Sequence, residues 1–305
     1  MNGWRTLMRR SDAACAALRE KPCVRFEKDP YLRGFQDECD PALWHLWFDS
    51  PVPGGAVWMH LVIGETRALL IDTGYGIGDL KGALAQLTDR PVTVVNTHWH
   101  PDHTGGNAQF ARVWCHAFDA PYLARQNDGE GPRLLPPPRF WNARDLVPLQ
   151  SGEICTFADG CCFDLGGRTV EAVHMPGHSA GGCMLLDTAS GVLFSGDAVL
   201  FTPTLVCSLF PAREHAELLT VAAFADALGR AAPRLSGVQR LCPGHSLQNL
   251  APARLQAMLA CCRAVLAAPG AWERYDYIPE APCRIRCVED AMLVYTPDRV
   301  GTAVR

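Results

Sequence analysis

Within six residues, 98–103, the chain places three histidines and one aspartate in the segment THWHPDHTGGN. That segment directly follows VTVVN (92–96), an apolar run introduced by Pro91 that reads as a buried strand. Upstream, 79–88 (DLKGALAQLT) has helical spacing and 67–72 (RALLID) has the aliphatic content of a strand. Strand, helix, strand is the unit of a layered α/β fold, and such folds carry their sites at the carboxyl ends of strands. A short turn there can aim several nitrogen and oxygen atoms at one place. Neutral imidazole and carboxylate suit Zn²⁺ and related borderline ions, so His98, His100, Asp102 and His103 are candidate metal ligands.

The surrounding pattern extends the layered reading. Residues 57–63 (VWMHLVI) and 67–72 predict a hairpin turning at Gly64-Glu65. A strand over 113–117 and a short helix over 119–126 precede the stretch 128–148, where Pro136, Pro137 and Pro138 argue against regular structure. The second half predicts strands near 161–164, 169–174, 183–187 and 192–195, a helix over about 213–231, a strand near 238–242 and a helix over about 252–267. Residues 283–296 (CRIRCVEDAMLVYT) read as a further hairpin with Glu289-Asp290 at its turn. Two similar halves, each ending strands in polar clusters, imply a four-layer αββα sandwich.

A chain of 305 residues can bury a large core, and a net charge of −4 without a long basic run gives no electrostatic footprint for nucleic acid. A small-molecule substrate is the expectation. The N-terminus mixes arginines with short apolar stretches and has no secretory h-region, and no stretch reaches membrane-spanning length. A cytoplasmic protein without membrane partners follows as an expectation. The fourteen cysteines lack paired C-x-x-C spacing and are read mainly as small buried hydrophobes in a reducing compartment.

THWHPDHTGGN resembles the H-x-H-x-D-H signature of the metallo-β-lactamase superfamily, and further motifs occur in family order: Asp72 in LLIDTG, His178 in MPGHSAGG, Asp197 in LFSGD and His245 in CPGH. The resemblance implies one domain over 1–305, with its core at about 45–268 and extensions at 1–44 and 270–305. It implies two Zn²⁺ ions, with Fe or Mn as substitutes. His98, His100 and His178 would hold one, Asp102, His103 and His245 the other, and Asp197 would bridge them. Asp72 would support the histidine loop from behind. On this reading a metal-bridging hydroxide attacks the substrate, and Asp102 also orients it and carries a proton to the leaving atom.

Such centres cleave many bonds, so the ligands specify reaction type better than substrate. The segment after Asp197 (AVLFTPTLV) lacks the tyrosine of the homoserine lactonases and the glycine-rich continuation of the glyoxalase II pattern. An ester, thioester or lactone is the first choice, with a β-lactam or phosphodiester behind it. An iron-dependent persulfide dioxygenase shares the motif, and a catalytically silent binding protein would retain the fold. A homo-oligomer is compatible with the sequence.

Other residues have ordinary explanations. His45, His60, His116, His174 and His215 are read as core histidines. Trp99, Phe140, Trp141, Phe201, Leu205 and Phe210 are candidates for a substrate wall, with core packing the stronger reading. Arg133, Arg139 and Arg144 are candidates for carboxylate binding, with solvation as the simpler account. Gly105-Gly106 is expected to open a helix, and Gly177, Gly196 and Gly244 to permit tight turns before ligands.

Overall fold

The computed structural model describes residues 3–50, 56–130, 133–207, 214–278 and 281–301. They form two compact units, one of Leu18–Ala172 with Asp187–Ser190, the other of Met1–Ala17, Val173–Leu186 and Gly191–Arg305. Helix α1 (Gly3–Arg19) opens the chain and lies in the latter unit except for its last two residues.

The Leu18–Ala172 unit holds an eight-stranded sheet in which spatial order equals chain order. Its strands are β1 (Val24–Arg25), β2 (Leu32–Gln36), β3 (Leu43–Phe48), β4 (Val57–Ile63), β5 (Ala68–Ile71), β6 (Val92–Val95), β7 (Arg112–His116) and β8 (Glu153–Phe157). The first five form an antiparallel meander, and β4 meets β5 with Ile63 opposite Ala68, as the hairpin at Gly64-Glu65 requires. From β5 onward the pairs are parallel. Parallel neighbours need crossovers, which α2 (Leu80–Leu84), α3 (Pro101–Thr104) and α4 (Ala120–Asn127) help to supply. Asp79 caps α2 by accepting the Gly82 N–H at 2.8 Å. The helix is shorter than the periodicity of 79–88 predicts, with turns continuing to Thr88.

The core of this unit joins Leu46, Val57, Met59, Leu61, Leu70 and Val94 to Leu80 and Leu84 of α2. The prolines at 136–138 do not exclude all regular structure: Pro138 opens a 3₁₀ turn, Pro138–Phe140, where its missing N–H costs nothing. Strand β8 has no sequence signal of its own, since EICTF buries only Phe157 fully. Strand β9 (Cys162–Asp164) pairs antiparallel with the first residues of β10 (Thr169–His174).

The other unit contains β11 (Cys183–Asp187) as far as Leu186, β12 (Val192–Gly196), β13 (Thr204–Val206), α5 (Val221–Ala231), β14 (Arg240–Pro243), α6 (Ala253–Ala267), β15 (Glu273–Ile278), β16 (Ala281–Val288) and β17 (Ala291–Tyr295). Strands β12 and β14 run parallel. Helix α5 begins at Val221, later than the periodicity suggests, because the Thr220 hydroxyl caps it by accepting the Ala223 N–H. Part of the earlier segment, 208–213, lies outside the described residues. Buried residues of α5 and α6, among them Phe224, Leu228, Met258 and Cys262, pack with Leu193 and Leu241 of the sheet.

A second sheet here has the order β13-β17-β16-β15. The expected hairpin over 283–296 is β16–β17, with Val288 opposite Ala291 and Glu289 in the left-handed region at the turn. Trp4, Leu7 and Met8 of α1 pack on its buried Cys283, Ile285, Met292 and Val294. Their spacing, continued by buried Ser11, is the i, i+3, i+4, i+7 stripe of an amphipathic helix.

All fourteen cysteines are free thiols. Cys115, Cys183, Cys242, Cys261, Cys262 and Cys283 are buried, whereas Cys39 and Cys162 are exposed, so the buried-hydrophobe account covers only part of the set. Among the described residues no helix is long and apolar enough to cross a membrane.

Candidate metal centre

In the Leu18–Ala172 unit the histidine cluster follows β6. Thr97 and His98 continue the chain, His100 is the N-cap of α3, Pro101 starts that single turn, and Asp102 and His103 lie within it. One extended segment bent into one helical turn brings the rings together: the His98 ring centre lies 4.6 Å from that of His100 and 4.2 Å from that of His103. Asp102 Oδ2 is 3.9 Å from His103 Nε2, and Asp102 is partly exposed whereas the three histidines are buried.

Asp72 follows the parallel neighbour β5 and has φ 63, an uncommon conformation for a non-glycine residue. Its Oδ1 accepts the Thr97 N–H at 2.7 Å and its Oδ2 the Thr97 hydroxyl at 2.8 Å. The same Oδ2 lies 2.8 Å from His103 Nδ1. A carboxylate on Nδ1 holds the proton there and leaves the Nε2 lone pair for a metal. Asp72 thus contacts both Thr97 and His103 of the histidine loop.

Several buried supports were not legible in the sequence. The Thr73 N–H donates to the His103 carbonyl at 2.7 Å, and Asn107 exchanges amide hydrogen bonds with Asn96 at 2.9 and 3.2 Å. Asp119 accepts the Trp99 N–H, and the Gln126 amide donates to the Trp99 carbonyl. Their one sequence signal was polarity at the end of an apolar strand, in Asn96-Thr97. Gly105-Gly106 does not open an α-helix. A Cβ on Gly105 would overlap the Tyr75 backbone and one on Gly106 the Thr73 carbonyl, so the pair admits the turn after β5.

The other unit carries its own three candidates. Parallel strands β12 and β14 end side by side, the Gly244 N–H donating to the Gly196 carbonyl at 2.9 Å. Asp197 directly follows β12 and His245 follows β14 by one residue, and Asp197 Oδ2 lies 3.4 Å from His245 Nε2 and 3.6 Å from His178 Nε2. His178 follows Gly177, whose φ of 138 suits the tight turn expected there. The His178 Nδ1 lies 2.7 Å from the Leu205 carbonyl, which again leaves the Nε2 lone pair available to an ion. All three side chains are nearly excluded from solvent. The seven expected ligands are among the side chains able to hold a metal ion. Imidazole and carboxylate with the far nitrogen tied back are a donor set that fits zinc or a similar divalent ion.

The remaining candidates divide. Trp99 stacks on Tyr122 at 4.7 Å and 13°, so packing accounts for it, and Phe201 is buried under the Arg254 guanidinium. Leu205 supplies the carbonyl facing His178, Trp141 packs on the β-meander core, and Phe140 is exposed beside the Arg139 guanidinium. Phe210 lies outside the described residues. Arg133 donates to the Val147 carbonyl, burial lowers its pKa, and Arg144 lies 3.6 Å from Asp145. His45 bridges His60 and Asp37 at 2.9 and 3.0 Å, and His116 is buried as expected. His174 is half-buried against the Ala180 carbonyl, while His215 is partly exposed near Glu217 and is no core residue.

Among relatives, the chain is 35% identical over 162 residues to the human "Acyl-coenzyme A thioesterase MBLAC2", a match covering 47% of this chain and 57% of the relative. It is 30% identical over 144 residues to the "Atrochrysone carboxyl ACP thioesterase" of Aspergillus terreus, covering 46% of this chain and 38% of that protein. The chain thus spans less than two thirds of these relatives' length. Among solved structures it is similar to the "Metallo-beta-lactamase from Pontibacter korlensis" (TM-score 0.55, 20% identity, 76% of this chain and 99% of the other). It is also similar to a metallo-beta-lactamase family protein from Thermus thermophilus (TM-score 0.54, 24% identity, 76% and 84%). These two likenesses show the α/β sandwich fold. The model of the metallo-beta-lactamase superfamily matches residues 52–253, and the chain belongs to that superfamily.

Proposed function

We propose that this chain is a metal-dependent thioester hydrolase. The observation that carries the choice of bond is the similarity to relatives named as thioesterases in both animals and fungi. The donor chemistry of the two residue groups supports the metal dependence. In this reading His98, His100 and His178 hold one ion, Asp102, His103 and His245 a second, and Asp197 serves both. Two zinc ions are the preferred occupants, with iron or manganese as substitutes.

Bound divalent ions would supply Lewis acidity toward a thioester carbonyl and make water nucleophilic near neutral pH. The chain's own contribution is to fix ligand orientation through Asp72 and the Leu205 carbonyl. Asp102, partly exposed beside His103, is the carboxylate assigned to accept a proton and pass it to the leaving thiolate. Residues 1–305 act as one catalytic domain on a small-molecule substrate in the cytoplasm, without nucleic acid or membrane, and a homo-oligomer is compatible with this reading.

A hydrolysis panel of acyl thioesters, esters, lactones, β-lactams and bis(p-nitrophenyl) phosphate tests this function, with metal analysis of the same protein. Thioesters should be cleaved fastest, and Asp197→Ala should lose turnover. Wild-type turnover by Asp197→Ala would overturn the metal assignment. Oxygen consumption with glutathione persulfide and a single iron per chain would instead favour a dioxygenase.

A further inference from the structure

Phe201, four residues beyond Asp197, is buried and has two guanidinium groups over its ring. The Arg10 Cζ lies 5.8 Å from its ring centroid and the Arg254 Cζ 4.9 Å, both within cation–π range. Arg254, the second residue of α6, is buried. It donates to the Leu200 carbonyl at 3.2 Å, to the Asp290 carbonyl at 2.8 Å and to the Asp290 carboxylate. Arg10 is exposed, projects from α1, and has no carboxylate partner among the described residues.

Two guanidinium groups thus share the Phe201 ring, one of them on the first turn of a fifteen-residue helix, and among the described residues the carboxylate paired with either of them is that of Asp290, on Arg254, which is itself half exposed. Burial lowers the Arg254 pKa, Asp290 opposes that, and Arg10 lowers it further. An arginine held by an aromatic face rather than by a carboxylate keeps its donors for a ligand.

The placement is tied to the candidate centre by chain connectivity. Four residues allow at most about 14 Å between the Cα atoms of Asp197 and Phe201. On the other side, the buried Ser11 hydroxyl, next to Arg10, hydrogen-bonds the hydroxyl of Ser246, next to His245. Helix α1 is thus pinned to the residue that follows one proposed ligand, and Arg10 to the loop that follows another.

We infer that Arg10, with Arg254 and Phe201 behind it, is an oxyanion subsite that selects substrates bearing a phosphate or carboxylate away from the scissile bond. The inference rests on the thioester reading above and names its specificity. The oxyanion has two possible sources, a phosphate on the thiol side, as in coenzyme A, or a carboxylate on the acyl side.

Three thioesters separate them: acetyl-coenzyme A, acetyl-N-acetylcysteamine, which carries no anion, and the N-acetylcysteamine thioester of glutaric half-acid. One charge-assisted hydrogen bond corresponds to about tenfold in affinity. Arg10→Ala should therefore cut kcat/KM about tenfold more for one anionic thioester than for the neutral one, mainly through KM, with partial rescue in Arg10→Lys. The anionic substrate that responds identifies the source. Equal effects on all three would overturn the subsite.

Calorimetry with desulfo-coenzyme A and with glutarate distinguishes this failure from that of the thioesterase reading. Binding by the wild type that weakens about tenfold in Arg10→Ala supports the subsite even if no thioester is cleaved. Absence of binding by both probes, or equal binding by the variant, overturns it whether or not thioesters are cleaved.

Discussion

Asp72 Oδ2 and His103 Nδ1 are 2.8 Å apart, both inside the protein, and the same carboxylate oxygen accepts the Thr97 hydroxyl. Removing that carboxylate frees the ring to turn and the loop backbone at Thr97 to move. Asp72→Ala should weaken metal affinity about 10–100-fold, the usual cost of losing a ligand's hydrogen-bond partner. Competition with a chromophoric chelator measures it, and unchanged affinity would remove Asp72 from the support of the centre.

Chelation gives a second test. Dialysis against dipicolinate should abolish thioester hydrolysis, and zinc should restore it, because the bound ions are the proposed activators of water. The far-ultraviolet spectrum should change little, since the strand and helix ladders do not depend on the ligand side chains. Full activity in demetallated protein would contradict the proposed chemistry.

Away from the centre, Arg168 donates through Nε to the fully buried Asp187 at 2.8 Å and also pairs with Asp40. Arg168→Ala would take the guanidinium away from buried Asp187 and leave it only the Ala189 N–H and the Ser190 hydroxyl as donors among the described residues. A loss of about 3–5 kcal/mol in unfolding free energy is expected by denaturant titration. A loss below about 1 kcal/mol, the range of exposed pairs, would show that water reaches the site.

Asp29 makes stability depend on pH. Burial pushes its carboxyl up to about 7, against a backbone hydrogen bond from Tyr31 and with Asp79 and Asp145 adding to the rise. Between about 4 and about 7 the native state keeps a proton that the unfolded chain has released. Its contribution is therefore complete below that window and is lost as pH rises through it. Asp29→Asn keeps an acceptor for the Tyr31 N–H and cannot ionise. Its Tm relative to wild type should be higher at pH 8 than at pH 5, and an equal difference at both would place the ionised carboxylate in contact with solvent.

Where one physical signal dominated, the sequence was readable. The apolar run 92–96 and the alternation from aliphatic strand to polar turn located β6 and the histidine cluster, and the charged pair Glu289-Asp290 located the β16–β17 turn. Strand β8 was not readable because it is mostly half-exposed and takes its shape from pairing with β7. The supports of the centre were hidden for a related reason. Asn96, Asn107 and Asp119 act through contacts whose partners lie up to twenty residues away, and a polar residue near a loop has no periodicity to mark it.

Gly105 and Gly106 fit against the backbone of Tyr75 and Thr73, and the Thr73 N–H closes on the His103 carbonyl. The segment bearing four of the seven proposed ligands is thus clamped main chain to main chain. Its ordering entropy is spent during folding rather than during ion capture. The apo protein should present this half of the centre already shaped, so that ion uptake is fast and nearly rigid, and exchange of one divalent ion for another requires little reorganisation.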